Sequence, residues 1–238
     1  MKQKLKIENV LMDVDGTMTL AEKGTGTMRI SPLDHLANLV AAADGGSREE
    51  ALSRINEVGD IQTTCLFDML DTLGVSRAAY WMLLRGELER TTHMAEDAVC
   101  FIKDLKAKGI KLFSATTNSP AMTLLKMSLA GLATIDGSPY MAGFFGGNAF
   151  NDPEGKYSAN FFPAIMGRGK FDPETTMMVG DEIERDLKPA LKAGIKHVVM
   201  VDRGRQEPMS LEHGAVFVNS LRVVSEMIVV GGADHGQL

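Results

Sequence analysis

The chain has 238 residues, 45% hydrophobic and 24% charged, with 31 acidic against 25 basic side chains and a net charge of −6. That balance fits a soluble globular protein able to bury a sizeable core, and it excludes collagen, coiled coil and disorder. The acidic excess argues against nucleic acid as a partner, and no apolar run approaches the ~18 residues of a membrane span.

The N-terminus is basic, but Glu8, Asn9 and Asp13 break its apolar stretch. It lacks the ~7–15-residue apolar region of a secretory signal, so a cytoplasmic location is expected. Residues 7–12 (IENVLM) read as a short buried strand ending at Asp13. From 20 to 92 the texture changes. A Gly/Thr-rich segment, 24–27, precedes a series of helical patterns. Ser31 before Pro32 gives an N-cap and a first-turn proline, opening a helix through Leu33, Leu36, Leu39 and Val40. Ser47 and Glu50 have the spacing of a capping box, with Ala51, Leu52, Ile55 and Val58 as the apolar face. Leu66, Met69, Leu70 and Leu73 form another stripe, stopped near Gly74. With almost no strand signal, 20–92 reads as a helical insert.

Beyond the insert the pattern alternates. A helix over 96–108 ends at Gly109, a strand covers 110–115, and a helix over 120–130 ends at Gly131. A Gly/Phe-rich stretch (140–150 at its centre) follows, either packing or lining a site. Then come a helix over 158–166, a strand over 175–179, a helix over 183–193 that tolerates Pro189, and strands over 195–201 and 215–218. This order predicts the α/β class, with a Rossmann-like, mostly parallel sheet. The predicted division is an α/β core of 1–19 and 93–238, interrupted by the helical domain 20–92.

Ligands of such sheets bind beyond the carboxyl ends of the strands. Three strands end there in polar residues: DVDGT (13–17), TTNS (116–119) and GDEIERD (180–186). In a continuing strand Asp13 and Asp15 would share a face, and Gly16 permits a turn away. Two close carboxylates need a cation or a proton between them. A hard divalent ion answers that need, and Mg²⁺ is the usual one in phosphate chemistry. Asp13, Asp15 and Asp181 are therefore the expected metal ligands. Asp13 is the expected nucleophile and Asp15 the general acid and base. A calcium loop is disfavoured, because Met18, Thr19, Leu20 and Ala21 supply no further side-chain carboxylates. Cys65 and Cys100 lack CxxC partners and read as reduced thiols; the five histidines show no zinc spacing.

The D-x-D-G-T at a first strand end resembles the first motif of the haloacid dehalogenase-like (HAD) superfamily of phosphohydrolases. The resemblance covers about 13–20 and 96–205. It implies a Ser or Thr closing the next strand, for which Thr117 fits, with Thr116 as competitor and Asn118 behind it as a substrate contact. It also implies a lysine that neutralises phosphate and nucleophile. Lys156 and Lys170 both follow glycine, and topology favours Lys156, since Lys170 precedes a strand and so lies at the opposite pole. The acidic motif implied is matched by Gly180, Asp181 and Asp186, with Asp186 orienting Lys156 or metal-bound water. Segment 20–92 stands where the family's phosphoglycolate-phosphatase-like and β-phosphoglucomutase-like members carry a helical cap. Arg29, Arg48, Arg54, Arg85 and Arg90 are its candidates for gripping a substrate anion. The implied function is a Mg²⁺-dependent phosphatase acting on a small phosphorylated metabolite through an aspartyl-phosphate. A phosphomutase and an inactive phosphate-binding scaffold are the alternatives.

Overall fold

The first predicted strand is two. In the computed structural model, which describes residues 4–22, 28–59, 65–146, 150, 152 and 154–230, β1 (Leu5–Ile7) and β2 (Asn9–Met12) part at Glu8. The N–H groups of Glu8 and Asn9 both donate to the Thr175 carbonyl at this break. The predicted segment 24–27 lies outside the described residues. After β2 the chain turns through 13–18 into β3 (Thr19–Ala21).

Four helices follow: α1 (Pro32–Asp44), α2 (Arg48–Val58), α3 (Leu66–Thr72) and α4 (Arg77–Thr91). Their starts are the local signals of the sequence. Ser31 Oγ accepts from the Asp34 N–H, Pro32 stands in the first turn, and Ser47 with Glu50 makes both bonds of a capping box. Each such cap is worth about 1 kcal/mol. The apolar cluster of Leu36, Val40, Ile55, Leu70, Tyr80 and Leu84, all essentially without solvent exposure, contributes more. At ~1.5–3 kcal/mol per buried large apolar side chain, burial outweighs capping here. β4 (Thr92–Met94) returns antiparallel to β3, so the chain leaves and re-enters the sheet region on one two-stranded ribbon.

The rest alternates as α5 (Glu96–Ala107), β5 (Lys111–Thr116), α6 (Pro120–Ser128), β6 (Gly143–Gly146), α7 (Phe161–Gly169), β7 (Thr176–Gly180), α8 (Lys188–Lys192), β8 (His197–Val201), β9 (Met209–Glu212), β10 (Ala215–Val218), α9 (Leu221–Met227) and β11 (Ile228–Val230). Seven strands form one sheet in the order β6-β5-β2-β7-β8-β10-β9. All its pairings are parallel except that of β9 with β10. This is the α/β class with a mostly parallel sheet. Alternate residues of the central strands feed opposite faces. Val10, Met12, Met177 and Val179 meet Phe101, Ile102 and Leu105 of α5 and Val224 of α9. Leu11, Met178 and Met200 meet Phe161, Phe162 and Ile165 of α7. Helices on both faces explain why β7 is buried throughout.

The helix expected over 183–193 is broken. Residues Ile183–Leu187 form a π-helical turn, and α8 begins with Pro189 in its first turn, where a missing N–H costs nothing. The stretch 140–150 contains edge strand β6 and a packing role: Phe145 lies in contact with the Phe113, Phe150 and Phe171 rings. No helix among the described residues is long and apolar enough to cross a membrane.

Candidate active site

β2 lies between β5 and β7 in register, with Met12 opposite both Ser114 and Val179. The next residue, Asp13, is therefore carried past the sheet edge beside the ends of both neighbours, and its N–H donates to the Val179 carbonyl. Its side chain is buried. Lys156 Nζ donates to Asp13 Oδ1 at 2.6 Å and stands 2.5 Å from Asp186 Oδ1. Lys156 follows Gly155 in a short 3₁₀ turn ahead of α7 and is itself buried. Lys170 is exposed at the far end of α7.

Asp186 is held by the π-helical turn. Its Oδ2 accepts from the N–H groups of Asp181 and Glu182, each at 3.0 Å, and the residue is fully buried. Gly180 makes this approach possible, since a Cβ there would sit 2.3 Å from the Asp186 carboxyl. Asp181 accepts at Oδ1 from Thr17 Oγ1 at 2.7 Å. It crowds Gly16, where a Cβ would lie 2.0 Å from Asp181 Oδ2 and where φ is +79°, so glycine is required twice over. One carboxylate oxygen each from Asp13, Asp181 and Asp186 thus gathers within 4.8 Å.

Three carboxylates face one ammonium, and the electrostatics record the excess. Burial, reinforced by the charge of Asp186 and opposed by Lys156, pushes the Asp13 carboxyl up from 3.8 to about 7. Burial raises Asp181 as well. For Lys156 burial works against the charge, but Asp13 and Asp186 outweigh it and hold the ammonium above its ordinary range. Lys156 therefore keeps its proton, and the strained charge of the pair is that of Asp13. An all-oxygen, net-negative donor set of this kind fits a hard divalent cation.

Asp15 was expected among the metal ligands, on the face of Asp13. The structure turns it the other way. The chain leaves the extended conformation after Met12, and the Asp15 carboxylate meets Lys126 Nζ at 2.6 and 2.8 Å and Asn118 Nδ2 at 2.7 Å. Burial would raise its pKa, but the Lys126 charge and the hydrogen bonds from Asn118, Lys126 and Thr19 hold it below the ordinary value. Thr116 ends β5 buried, and its hydroxyl accepts from Asn118 at 3.0 Å; Thr117 stands exposed one residue further on. Of the insert's arginines, Arg48 pairs with Asp34, Arg54 with Asp44, Arg85 with Glu89 and Arg90 with Glu87. A cleft of about 850 Å³ runs along edge strand β6, lined by Glu8, Asn9, Lys111, Phe144 and Lys170 among others, and holds none of Asp13, Asp15, Asp181 and Asp186.

The family model of the haloacid dehalogenase-like hydrolases matches residues 7–194. The chain belongs to this family. The hydrolase shares its fold with a HAD phosphatase from Thermococcus onnurineus, at 20% identity and a TM-score of 0.52 over 94% of this chain and 97% of that one. It is similar in fold to CbbY from Rhodobacter sphaeroides, solved as an aspartate-to-asparagine mutant with xylulose-1,5-bisphosphate, at 18% identity and a TM-score of 0.50 over 90% and 95%. A dehalogenase solved with an intermediate complex gives 14% and 0.55 over 94% and 98%. No curated protein sequence matches the chain.

Two residues of the hydrolase's site carry no motif. One is Lys126. The other is Arg203, just beyond β8, which donates to the carbonyls of Gly16 at 2.9 Å and Thr17 at 2.8 Å and pairs with Asp97 at 2.9 Å. It ties down the turn that carries both aspartates. Arg203→Ala leaves a mostly buried Asp97 without its countercharge, held by the backbone N–H groups of Ala98 and Leu221, a loss of about 2–3 kcal/mol. A melting temperature lower by ~5–10 °C is expected in a thermal scan, and a shift under ~2 °C would show the tie to be idle.

Proposed function

We propose that the protein is a Mg²⁺-dependent phosphatase of small phosphate monoesters working through an aspartyl-phosphate on Asp13. The observation that carries this reading is the splayed pair of aspartates. One carboxylate is buried against Lys156, and the other, two residues on, is more than half exposed and held separately by Lys126 and Asn118.

Lys156 aims the Asp13 oxygen and offers positive charge to the phosphoryl group. The Asp13 oxygen attacks phosphorus in line, and the bond from phosphorus to the ester oxygen breaks. Asp15 rests as a carboxylate against Lys126, so it must take up a proton from solvent as it lets go of the lysine and then pass that proton to the leaving alcohol. Water then attacks the same phosphorus, its proton passes to Asp15, and the bond to Asp13 breaks to release inorganic phosphate. Thr117 or Thr116, with the N–H groups around Asn118, would hold the equatorial oxygens. Asp13 and Asp181, with Asp186 in reach, would hold the Mg²⁺, which supplies charge that offsets the carboxylates and the phosphate. The helical insert 20–92 would act as a cap that excludes water and sets specificity.

The test is release of p-nitrophenol from p-nitrophenyl phosphate by purified protein, with Mg²⁺ and with EDTA, followed by a panel of phosphorylated metabolites. Turnover that EDTA lowers by ~100-fold or more is expected. Absence of phosphate release from every compound would leave a non-catalytic scaffold, and isomerised sugar phosphates without free phosphate would mean a mutase.

A further inference from the structure

Lys126 is an unusual residue for its place. It stands on α6 with its side chain 9% exposed, and helix residues in that setting are ordinarily apolar. Its stem could be replaced by methionine without loss of packing volume, so the ammonium needs a reason. Its contacts supply one. Nζ lies 2.6 and 2.8 Å from the two oxygens of Asp15 and 2.9 Å from Asn118 Oδ1. All three acceptors belong to two loops of the site, those after β2 and β5. Asn118 closes the triangle, donating from Nδ2 to Asp15 Oδ2 at 2.7 Å and to Thr116 Oγ1 at 3.0 Å. Asp15 itself is 57% exposed, so no packing fixes its rotamer. Left alone, an exposed carboxylate samples several staggered positions.

We propose that Lys126 is a positioning residue for Asp15, holding its carboxylate ready to take the proton of the water that hydrolyses the aspartyl-phosphate. The inference rests on the phosphatase reading above. Both carboxylate oxygens accept from Lys126, an arrangement suited to the proton-accepting form. The step it serves is balanced: the water oxygen bonds to phosphorus, its proton goes to Asp15, and Asp13 leaves with the electron pair of the broken bond.

The test compares wild type, Lys126→Met, Asp15→Asn and the double variant on p-nitrophenyl phosphate, whose leaving group departs without a proton. Lys126→Met should lower kcat about 10- to 100-fold while KM falls with it, leaving kcat/KM within about threefold, because only breakdown of the intermediate slows. A pre-steady-state burst of p-nitrophenol should appear. In the Asp15→Asn background the same substitution should add less than about twofold. Lys126→Gln, which keeps a donor near Asp15, should recover part of the lost kcat. A raised KM at unchanged kcat, a loss that multiplies with that of Asp15→Asn, or no recovery in the glutamine variant would overturn the proposal. Wild type without turnover on any monoester would sink the phosphatase reading and this inference together. A wild type that turns over and an Asp15→Asn variant that loses kcat, beside a silent Lys126→Met, would sink the inference alone.

Discussion

Asp13→Asn is expected to abolish turnover, by ~10⁴-fold or more, in a protein that folds and melts at a higher temperature than wild type when metal is removed. The first half follows from chemistry: a carboxamide does not make an aspartyl-phosphate, and the neighbouring carboxylates are engaged, Asp181 with Thr17 and Asp186 with the N–H groups of Asp181 and Glu182. The second half follows from charge. The Asp13 carboxyl is raised from 3.8 to about 7, chiefly by burial. Between about pH 4 and pH 7 the folded state therefore holds a proton that the unfolded chain gives up. Stability falls with rising pH wherever the folded state binds more protons, so metal-free wild type loses this contribution as pH climbs through that window. Asparagine has no such charge to bury, and its Oδ1 can still accept from Lys156. In EDTA at pH 8 the variant should melt ~3 °C or more above wild type, an advantage that shrinks toward pH 5. Residual turnover near the wild-type rate would remove Asp13 from its role. A variant that melts below wild type at pH 8 would mean that its charge is not the costly one.

What the sequence discloses is local, and what it hides is mostly not. The caps at Ser31 and Ser47 are read from neighbours one and three residues on, Pro32 and Glu50, and the structure uses both. The strand runs ending in DVDGT, TTNS and GDEIERD are legible because a buried parallel strand is apolar nearly throughout. The break at Glu8 is not. It depends on one carbonyl, Thr175, that serves two N–H groups, and on β11 pairing with β1 from the other end of the chain. Lys126 is hidden for a different reason. A lysine on an amphipathic helix reads as solvated face, and only the fold shows that an aspartate 111 residues away meets it. Arg203 is hidden likewise, since its partners are backbone carbonyls that no residue type announces. The π-helical turn over 183–187 keeps the spacing of an ordinary helix start, yet its irregularity is what brings Asp186 under the N–H groups of Asp181 and Glu182.

Lys156→Ala should cost turnover ~10³-fold, whereas Lys170→Ala should stay within about threefold of wild type. The two lysines follow the same kind of glycine signal, and only the first reaches the acidic group. Removing it strands Asp13 and Asp186 together in a buried site, a penalty of about 3–5 kcal/mol that threatens folding itself. The exposed Lys170 carries no such burden, and its loss should move stability by no more than ~0.5 kcal/mol. A second substitution separates folding from chemistry. In Lys156→Ala with Asp186→Asn, one negative charge leaves along with the positive one, so much of the lost melting temperature should return. Turnover should not, because the ammonium that faces the phosphoryl group is still missing. A double variant that regains both would mean that Lys156 serves only to neutralise Asp186. One that regains stability alone would assign the lysine to the reacting group, as its 2.6 Å contact with the Asp13 oxygen requires.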